Sequence, residues 1–269
     1  MPLNFENYAI LDIETSPYSM EILNEKGILD LFEKQQMKNG AMSPFLSHLV
    51  DIGVKVHNEK TVFFKIDKSN ILASEKEILK EFWKYLKELK IDFLITYNGL
   101  KFDIPYIMAK TIMHDILPEK IIEQYKPDRA KNFKSLLYHI DCFQMLFNAD
   151  STVWLNLYST ASSMGIQVKE DKISGAIVPI LFYKGEMEEI IKHNEMDIEV
   201  LEKIYQKMIP FLNKQSEMYN YEVASDKQLV LIKQYKDKLT EDEQAKLDNN
   251  DITKEEASKI LDRVLSKKY

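Results

Sequence analysis

Residues Tyr8 to Thr15 read Tyr-Ala-Ile-Leu-Asp-Ile-Glu-Thr, an apolar run that turns acidic at its far end. Such a run suits a buried strand that ends at a functional edge. Asp12 and Glu14 are two residues apart, so on a strand both side chains leave the same face. Their neighbours Ile10, Leu11 and Ile13 are expected to be buried. Two carboxylates held on one face repel each other unless a cation lies between them, which suits the hard, oxygen-seeking ions Mg2+ or Mn2+. The plain alternative is a pair of strand-end charges facing water, and a motif as short as Asp-Ile-Glu-Thr does not choose between the two.

The rest of the chain alternates strand-like and helix-like segments. After a polar, helix-prone stretch around Met20 to Gly40, His48 to Val56 and Thr61 to Asp67 read as strands separated by a turn. Ser74 to Lys90 reads as an amphipathic helix, with Ser74 as N-cap, Glu77 three residues on, and Ile78, Leu79, Phe82, Leu86 and Leu89 as its apolar stripe. Asp92 to Tyr97 is a short strand closed by Asn98-Gly99, and Ile104 to Met113 is helical. Pro118 to Lys134 reads as polar and irregular, Leu137 to Phe143 as a strand, Thr152 to Gly165 as helical, and Met187 to Leu212 as a long helix ending near Pro210. Strands followed by helices predict a mixed α/β sheet with helices packed on it.

Two further acidic elements stand out. Asn98-Gly99-x-x-Phe102-Asp103-x-Pro105 places Asp103 at a helix start just after a strand and a turn. Its ordinary role would be a helix cap, and that of Asn98 a turn residue. The strand–turn–helix context also puts Asp103 at a sheet edge, where a metal ligand would be useful. His193 and Asp197 lie four apart on a helix and point the same way, which is more often a surface pair than a catalytic one.

A single cysteine, Cys142, excludes an internal disulfide and a thiolate zinc site. No apolar run approaches the roughly 18 residues of a membrane helix, and the first residues lack a basic region followed by a cleavage site, so no membrane association and a cytoplasmic setting are expected. The net charge of −7 argues against a protein that coats nucleic acid. It leaves room for an enzyme whose bound cations carry the attraction to phosphate.

Taken in order, the three acidic elements resemble those of the DEDD superfamily of 3′→5′ exonucleases. Asp12-Ile13-Glu14-Thr15 is similar to the first motif of that family. Asn98 through Pro105 is similar to the second, in the form seen in proofreading domains of family B DNA polymerases. His193-Asn194-Glu195-Met196-Asp197 sits where the third belongs. The stretches around Met42 to Val54, His139-Ile140-Asp141 and Ala161 to Ile166 also look like family segments, and the resemblance covers roughly residues 5 to 212. It implies a ribonuclease H-like fold and phosphodiester hydrolysis with two ions, Mg2+ or Mn2+. Asp12 would bridge both ions, Glu14 and Asp197 would complete one site, and Asp103 would hold the other. It also implies His193 as general base, with Thr15, Asn98 and Phe102 near the terminal nucleotide, although packing is the commoner role for Phe102. Asp141 reads as a structural neighbour of the site.

One departure bears on mechanism. The family's third motif has tyrosine four residues before the aspartate, or histidine five before it, whereas this chain has histidine at the tyrosine spacing. Stand-alone bacterial and phage relatives can show the same pattern. Histidine has an ordinary pKa near 6.5 and is suited to general-base work at neutral pH.

Several features have plainer readings. His48, His57, His114 and His139 share no spacing, and Trp83 and Trp154 fall on apolar helix faces that suit core packing. The basic segment from Lys126 to Lys134 is a candidate grip for a single-stranded backbone, with a solvated loop as the alternative. The composition shifts after about Lys214, giving an expected division into an exonuclease domain, 1–213, and a small helical appendage, 214–269. Two short helices, Asp226 to Lys238 and Thr253 to Leu265, are expected there. This appendage resembles small helical tails of phage and bacterial DNA-metabolism proteins, which implies docking on a protein partner, with an inert tail as the alternative.

The function expected from the whole is 3′→5′ exonuclease action on nucleic acid with single-stranded 3′ ends, DNA favoured. The alternatives are a noncatalytic binding module on the same fold and a hydrolase of short oligonucleotides.

Overall fold

The computed structural model describes residues 4–30, 40–118, 120–126, 136–147, 155–169, 173–220, 224–249 and 252–265. The chain divides into two compact units, the first running to Met208 and the second beginning at Ile209. Trp154 and the basic segment after Lys126 lie outside the described residues.

The first unit is built on a six-stranded sheet. Its strands are β1 (Tyr8–Pro17), β2 (Ser47–Val56), β3 (Val62–Lys65), β4 (Phe93–Thr96), β5 (Ile121–Gln124) and β6 (Leu136–Asp141), in the spatial order β3-β2-β1-β4-β6-β5. β1 runs parallel to β4, β4 to β6 and β6 to β5, while β2 and β3 pair antiparallel on the other side of β1. Parallel strands bring their carboxyl ends to one edge, so the residues that end β1, β4 and β6 collect there.

Among the described residues its helices are α1 (Met20–Glu25), α2 (Ile71–Glu88), α3 (Asp103–Met113), α4 (Cys142–Phe147), α5 (Leu157–Ser163), α6 (Val178–Lys184) and the part of α7 (Met187–Asn220) that runs to Met208. Alternation along β1 assigns the two faces of the sheet. Ala9, Leu11 and Ile13 join a core with Ile78, Phe82, Trp83 and Leu86 of α2 and Tyr106 and Ile107 of α3. The even residues face α7, where the Tyr8 ring meets Tyr205 edge-on with centroids 4.7 Å apart. Along that face the sequence passes from Tyr8 and Ile10 to Asp12 and Glu14, so the apolar core gives way to the acidic edge within one strand.

Beneath α2 and α3 a charged group is fully enclosed. Lys110 Nζ donates to Tyr18 Oη at 2.8 Å, to the Ser47 carbonyl, and to Glu75, 3.1 Å from its Oε1. Glu75 Oε1 also accepts the Leu49 amide. Charges survive in such a place only when paired and hydrogen-bonded.

Several boundaries differ from the sequence expectation. The N-cap of α2 is Asn70, whose side chain accepts from Ala73, and Ser74 instead accepts the Asp67 amide. The stretch after Pro118 contains β5, an edge strand with three of four residues exposed, which carries little of the apolar signal of a strand. α6 lies in a stretch that had been given no element. α7 does not stop at Pro210 but runs on to Asn220. Proline removes one helical N–H, and Gln206, four residues earlier, is exposed, so water can satisfy its carbonyl.

After the end of α7, the described residues of the second unit form α8 (Asp226–Lys233), α9 (Glu241–Asp248) and α10 (Lys254–Leu265), where two helices had been expected. Leu229, Ile232, Leu247, Ile252, Ala257 and Ile260 bury one another in a core of their own. Capping boxes at Ser225/Gln228 and Thr240/Glu243 start α8 and α9. Glu241, Asp242 and Glu243 make α9 polar enough to hide its helical period.

Candidate active site

The first acidic pair sits where β1 meets β2. In the ladder Asp12 faces Gly53 and Glu14 faces Asp51, and the register then slips between Glu14 and Thr15. Directly opposed residues share a face, so Asp12, Glu14 and Asp51 all point toward α7. The slip is a bulge of the kind that re-aims side chains beside functional sites. Gly53 lets the helix come close, since a Cβ there would stand 2.4 Å from Asn194 Oδ1 and 2.5 Å from Ile198 Cδ1.

α7 supplies the third element. His193 is 4% exposed, with Nε2 3.4 Å from Glu14 Oε1 and Nδ1 3.8 Å from Asp197 Oδ1. Asn194 Nδ2 donates to Asp51 Oδ1 at 2.7 Å and reaches the Asp12 carbonyl at 3.5 Å. It thereby pins the helix to both strands. Burial pushes the Asp51 carboxyl up to about 7 despite the Asn194 bond.

The second element enters from α3. Asp103 is the first residue of that helix, and its carboxylate accepts bonds from its own amide and from Ile13. β4 pairs with β1 only as far as Ile10, so Asp103 takes up a β1 amide beyond that point. Burial and the Asp141 charge hold the Asp103 carboxyl up at about 7. Asp12 is pushed well above the usual carboxylate range, by burial first and then by Asp103, Glu14, Asp197 and Asp51. Asp12 thus feels carboxylates from β1, β2, α3 and α7 together.

Asp141 has a different task. Its carboxylate accepts the amides of Asn98 at 2.8 Å, Leu100 at 2.9 Å and Phe143 at 3.0 Å, which fixes the turn after β4. Asn98 there adopts a left-handed φ of 62°, and its buried Oδ1 has no partner among the described residues. Thr15 donates its hydroxyl to the Ala41 carbonyl at 2.8 Å, and Phe102 packs its ring against Tyr106 with centroids 5.6 Å apart.

Sequence reasoning passed over three contributors. Asp51 reads as an ordinary polar residue within a strand, Gly53 matters through what lies above it, and Tyr158 belongs to no acidic motif. Tyr158 Oη donates to Asp197 Oδ1 at 2.7 Å. It lines, with His193, Asp197, Asn156, Ser162 and Ile173, a cleft of about 560 Å³.

Among the described residues no three His, Cys, Asp or Glu side chains already stand as a preformed metal centre. The donor set is chemically suited to a hard divalent ion all the same. It consists of carboxylate oxygens whose repulsion such an ion would relieve.

Comparisons with known proteins agree on one lineage. The DNA polymerase of Pyrococcus glycovorans is 28% identical over 123 residues, 39% of this chain and 16% of the polymerase. DNA polymerase 1 of Sulfurisphaera ohwakuensis is 32% identical over 75 residues, 28% of this chain and 8% of the polymerase. The chain therefore spans 16% or less of these relatives. A family B DNA polymerase structure from Pyrobaculum calidifontis superposes on 79% of this chain and 26% of its own with a TM-score of 0.59 at 16% identity. That likeness establishes a shared ribonuclease H-like architecture. Residues 42–246 match the family described as predicted 3′-5′ exonucleases related to the exonuclease domain of PolB, and the chain belongs to that family.

Proposed function

We propose that the chain hydrolyses phosphodiester bonds from the 3′ end of single-stranded nucleic acid, DNA in preference, with two Mg2+ or Mn2+ ions. The observation that carries this reading is the approach of Asp12 and Glu14 on β1 to α3 and α7, where burial first and then the charges of Asp103, Glu14 and Asp197 raise the Asp12 carboxyl. These four side chains would hold the ions, Asp12 lying between the contributions of α3 and α7. Bound divalent ions supply Lewis acidity toward the phosphate and toward the attacking water.

The chain's own residues do the rest. His193 accepts the proton of the attacking water at Nε2, the nitrogen beside Glu14. The carboxylates of Glu14 and Asp197 lie on either side of the ring. Asn194 and Gly53 hold α7 at the height that brings His193 to the strand pair. Asn98, whose Oδ1 has no partner among the described residues, would meet the terminal nucleotide, whereas the Thr15 hydroxyl is already engaged by Ala41. Phe102 contributes through its packing on Tyr106 and the neighbouring core. The preference for DNA is supported by the relatives, which are DNA polymerases.

The test is degradation of 5′-labelled single-stranded DNA and RNA with Mn2+, Mg2+ or EDTA. A metal-dependent ladder shortening from the 3′ end, and absent in Asp12→Ala, is expected. No cleavage of either polymer, with cleavage of di- or trinucleotides, would replace this reading by a hydrolase of short oligonucleotides. No cleavage of any substrate would leave a binding module.

A further inference from the structure

We propose that Tyr158 is a positioning residue that sets the Asp197 carboxylate for metal binding, an inference that rests on the metal-dependent reading above. The contact itself is the first ground. Tyr158 Oη lies 2.7 Å from Asp197 Oδ1, within the range of a charge-assisted hydroxyl–carboxylate bond. The His193 ring stands farther from the same oxygen, at 3.8 Å, too far for a hydrogen bond. Of the two acidic side chains beside His193, Asp197 is the more open, at 21% against 8% for Glu14, so it has the greater rotameric freedom to lose.

The second ground is how firmly Tyr158 is held. It is the second residue of α5, whose first turn is capped by Asn156 through the Ser159 amide at 2.8 Å. Tyr97 Oη donates to the Leu155 carbonyl and meets Thr160 Oγ1, each at 2.6 Å, which ties the same turn to the end of β4. Tyr97 directly precedes the Asn98-Gly99 turn that leads to Asp103. A hydroxyl anchored in this way can orient a carboxylate without itself being ordered on metal binding. It also links the second acidic element to the third across a gap in the chain. A hydrogen bond of this type to a ligating carboxylate orients the ligand and typically accounts for about 10–100-fold in metal affinity.

Tyr158→Phe removes the hydroxyl and keeps the ring. Mn2+ titration of the whole chain without nucleic acid, followed by loss of the free-ion electron paramagnetic resonance signal, reads the effect directly. We expect the variant to bind Mn2+ about 10–100-fold more weakly. The Mn2+ concentration for half-maximal nuclease rate should rise by the same factor, with the rate at saturating metal nearly restored. Unchanged Mn2+ affinity in Tyr158→Phe, or a change only in the KM for the oligonucleotide, would overturn the assignment. If the unmodified chain depletes no free Mn2+, and Asp12→Ala behaves identically, it is the metal-dependent reading itself that fails.

Discussion

His193 reaches Glu14 through one ring nitrogen and approaches Asp197 through the other, while being nearly closed off from solvent. A proton acceptor in that position is held between the strand pair and the next turn of its own helix. His193→Ala should therefore slow turnover by about two to four orders of magnitude, the usual worth of a positioned acid–base group. Single-turnover rates at saturating Mn2+ would measure it, and an unchanged rate would remove His193 from the proton transfer. Some of this site was legible residue by residue. Asp12, Glu14, Asp103, His193 and Asp197 were candidates because three acidic elements in order resemble those of a known family, while the spacing of each element alone left a plain alternative open. Tyr158 and Asp51 were not, because each acts on a residue remote in sequence and carries no spacing that announces it.

At the scale of elements, the approach of α7 to β1 and β2 depends on Gly53. In Gly53→Ala the new methyl would meet Asn194 and Ile198, and the helix carrying His193 and Asp197 would have to lift. Overpacking of this kind costs about 1–3 kcal/mol. Urea unfolding should show that loss, and Mn2+ affinity should fall with it, since the helix that moves is the one bearing Asp197. Retained affinity alongside lost stability would mean that the strands yield instead of the helix.

Strands and helices were legible where one face is buried. α2 announces itself by its period and β1 by its apolar run, whereas β5 at the sheet edge and α9 among acidic residues carry neither signal. The extension of α7 past Pro210 was hidden because the rule that proline ends a helix assumes a buried, needy carbonyl four residues before it. Here that residue is exposed.

Across the whole molecule, titration and metal binding are linked. Asp103 and Asp51 keep their protons to about pH 7, and Asp12 to well above the ordinary range. A carboxyl raised in the folded state favours folding while protonated, so in EDTA this contribution is lost as pH rises from about 4 through 7. His48 and His139, lowered to about 4 by burial, act in the opposite sense and destabilise as pH falls from 6.5 toward 4. The two trends offset in EDTA. A divalent ion competes with the carboxyl protons alone, so the rise in Tm on adding Mn2+ should be small at pH 5 and large at pH 8. Calorimetric scans at both pH values, with Mn2+ and with EDTA, would decide it, and a pH-independent increment would place the ion elsewhere.

The second unit invites a separate test. Ile232 is fully buried in a core that the three C-terminal helices make among themselves. Ile232→Ala should cost about 2–5 kcal/mol within that unit. It should lower one calorimetric transition and leave hydrolysis of a bare oligonucleotide unchanged. A matching fall in both would show that the units melt together.

The acidic residues of the first unit come from its opening strand, from the helix after its fourth strand, and from its final helix. A ribosome must release nearly all of that unit before the carboxylates can meet, and a single protease cut that frees α7 parts them again. If these carboxylates hold the ions as proposed, nascent chains and breakdown products would be harmless to nucleic acid, and hydrolysis would require all three segments of the unit together.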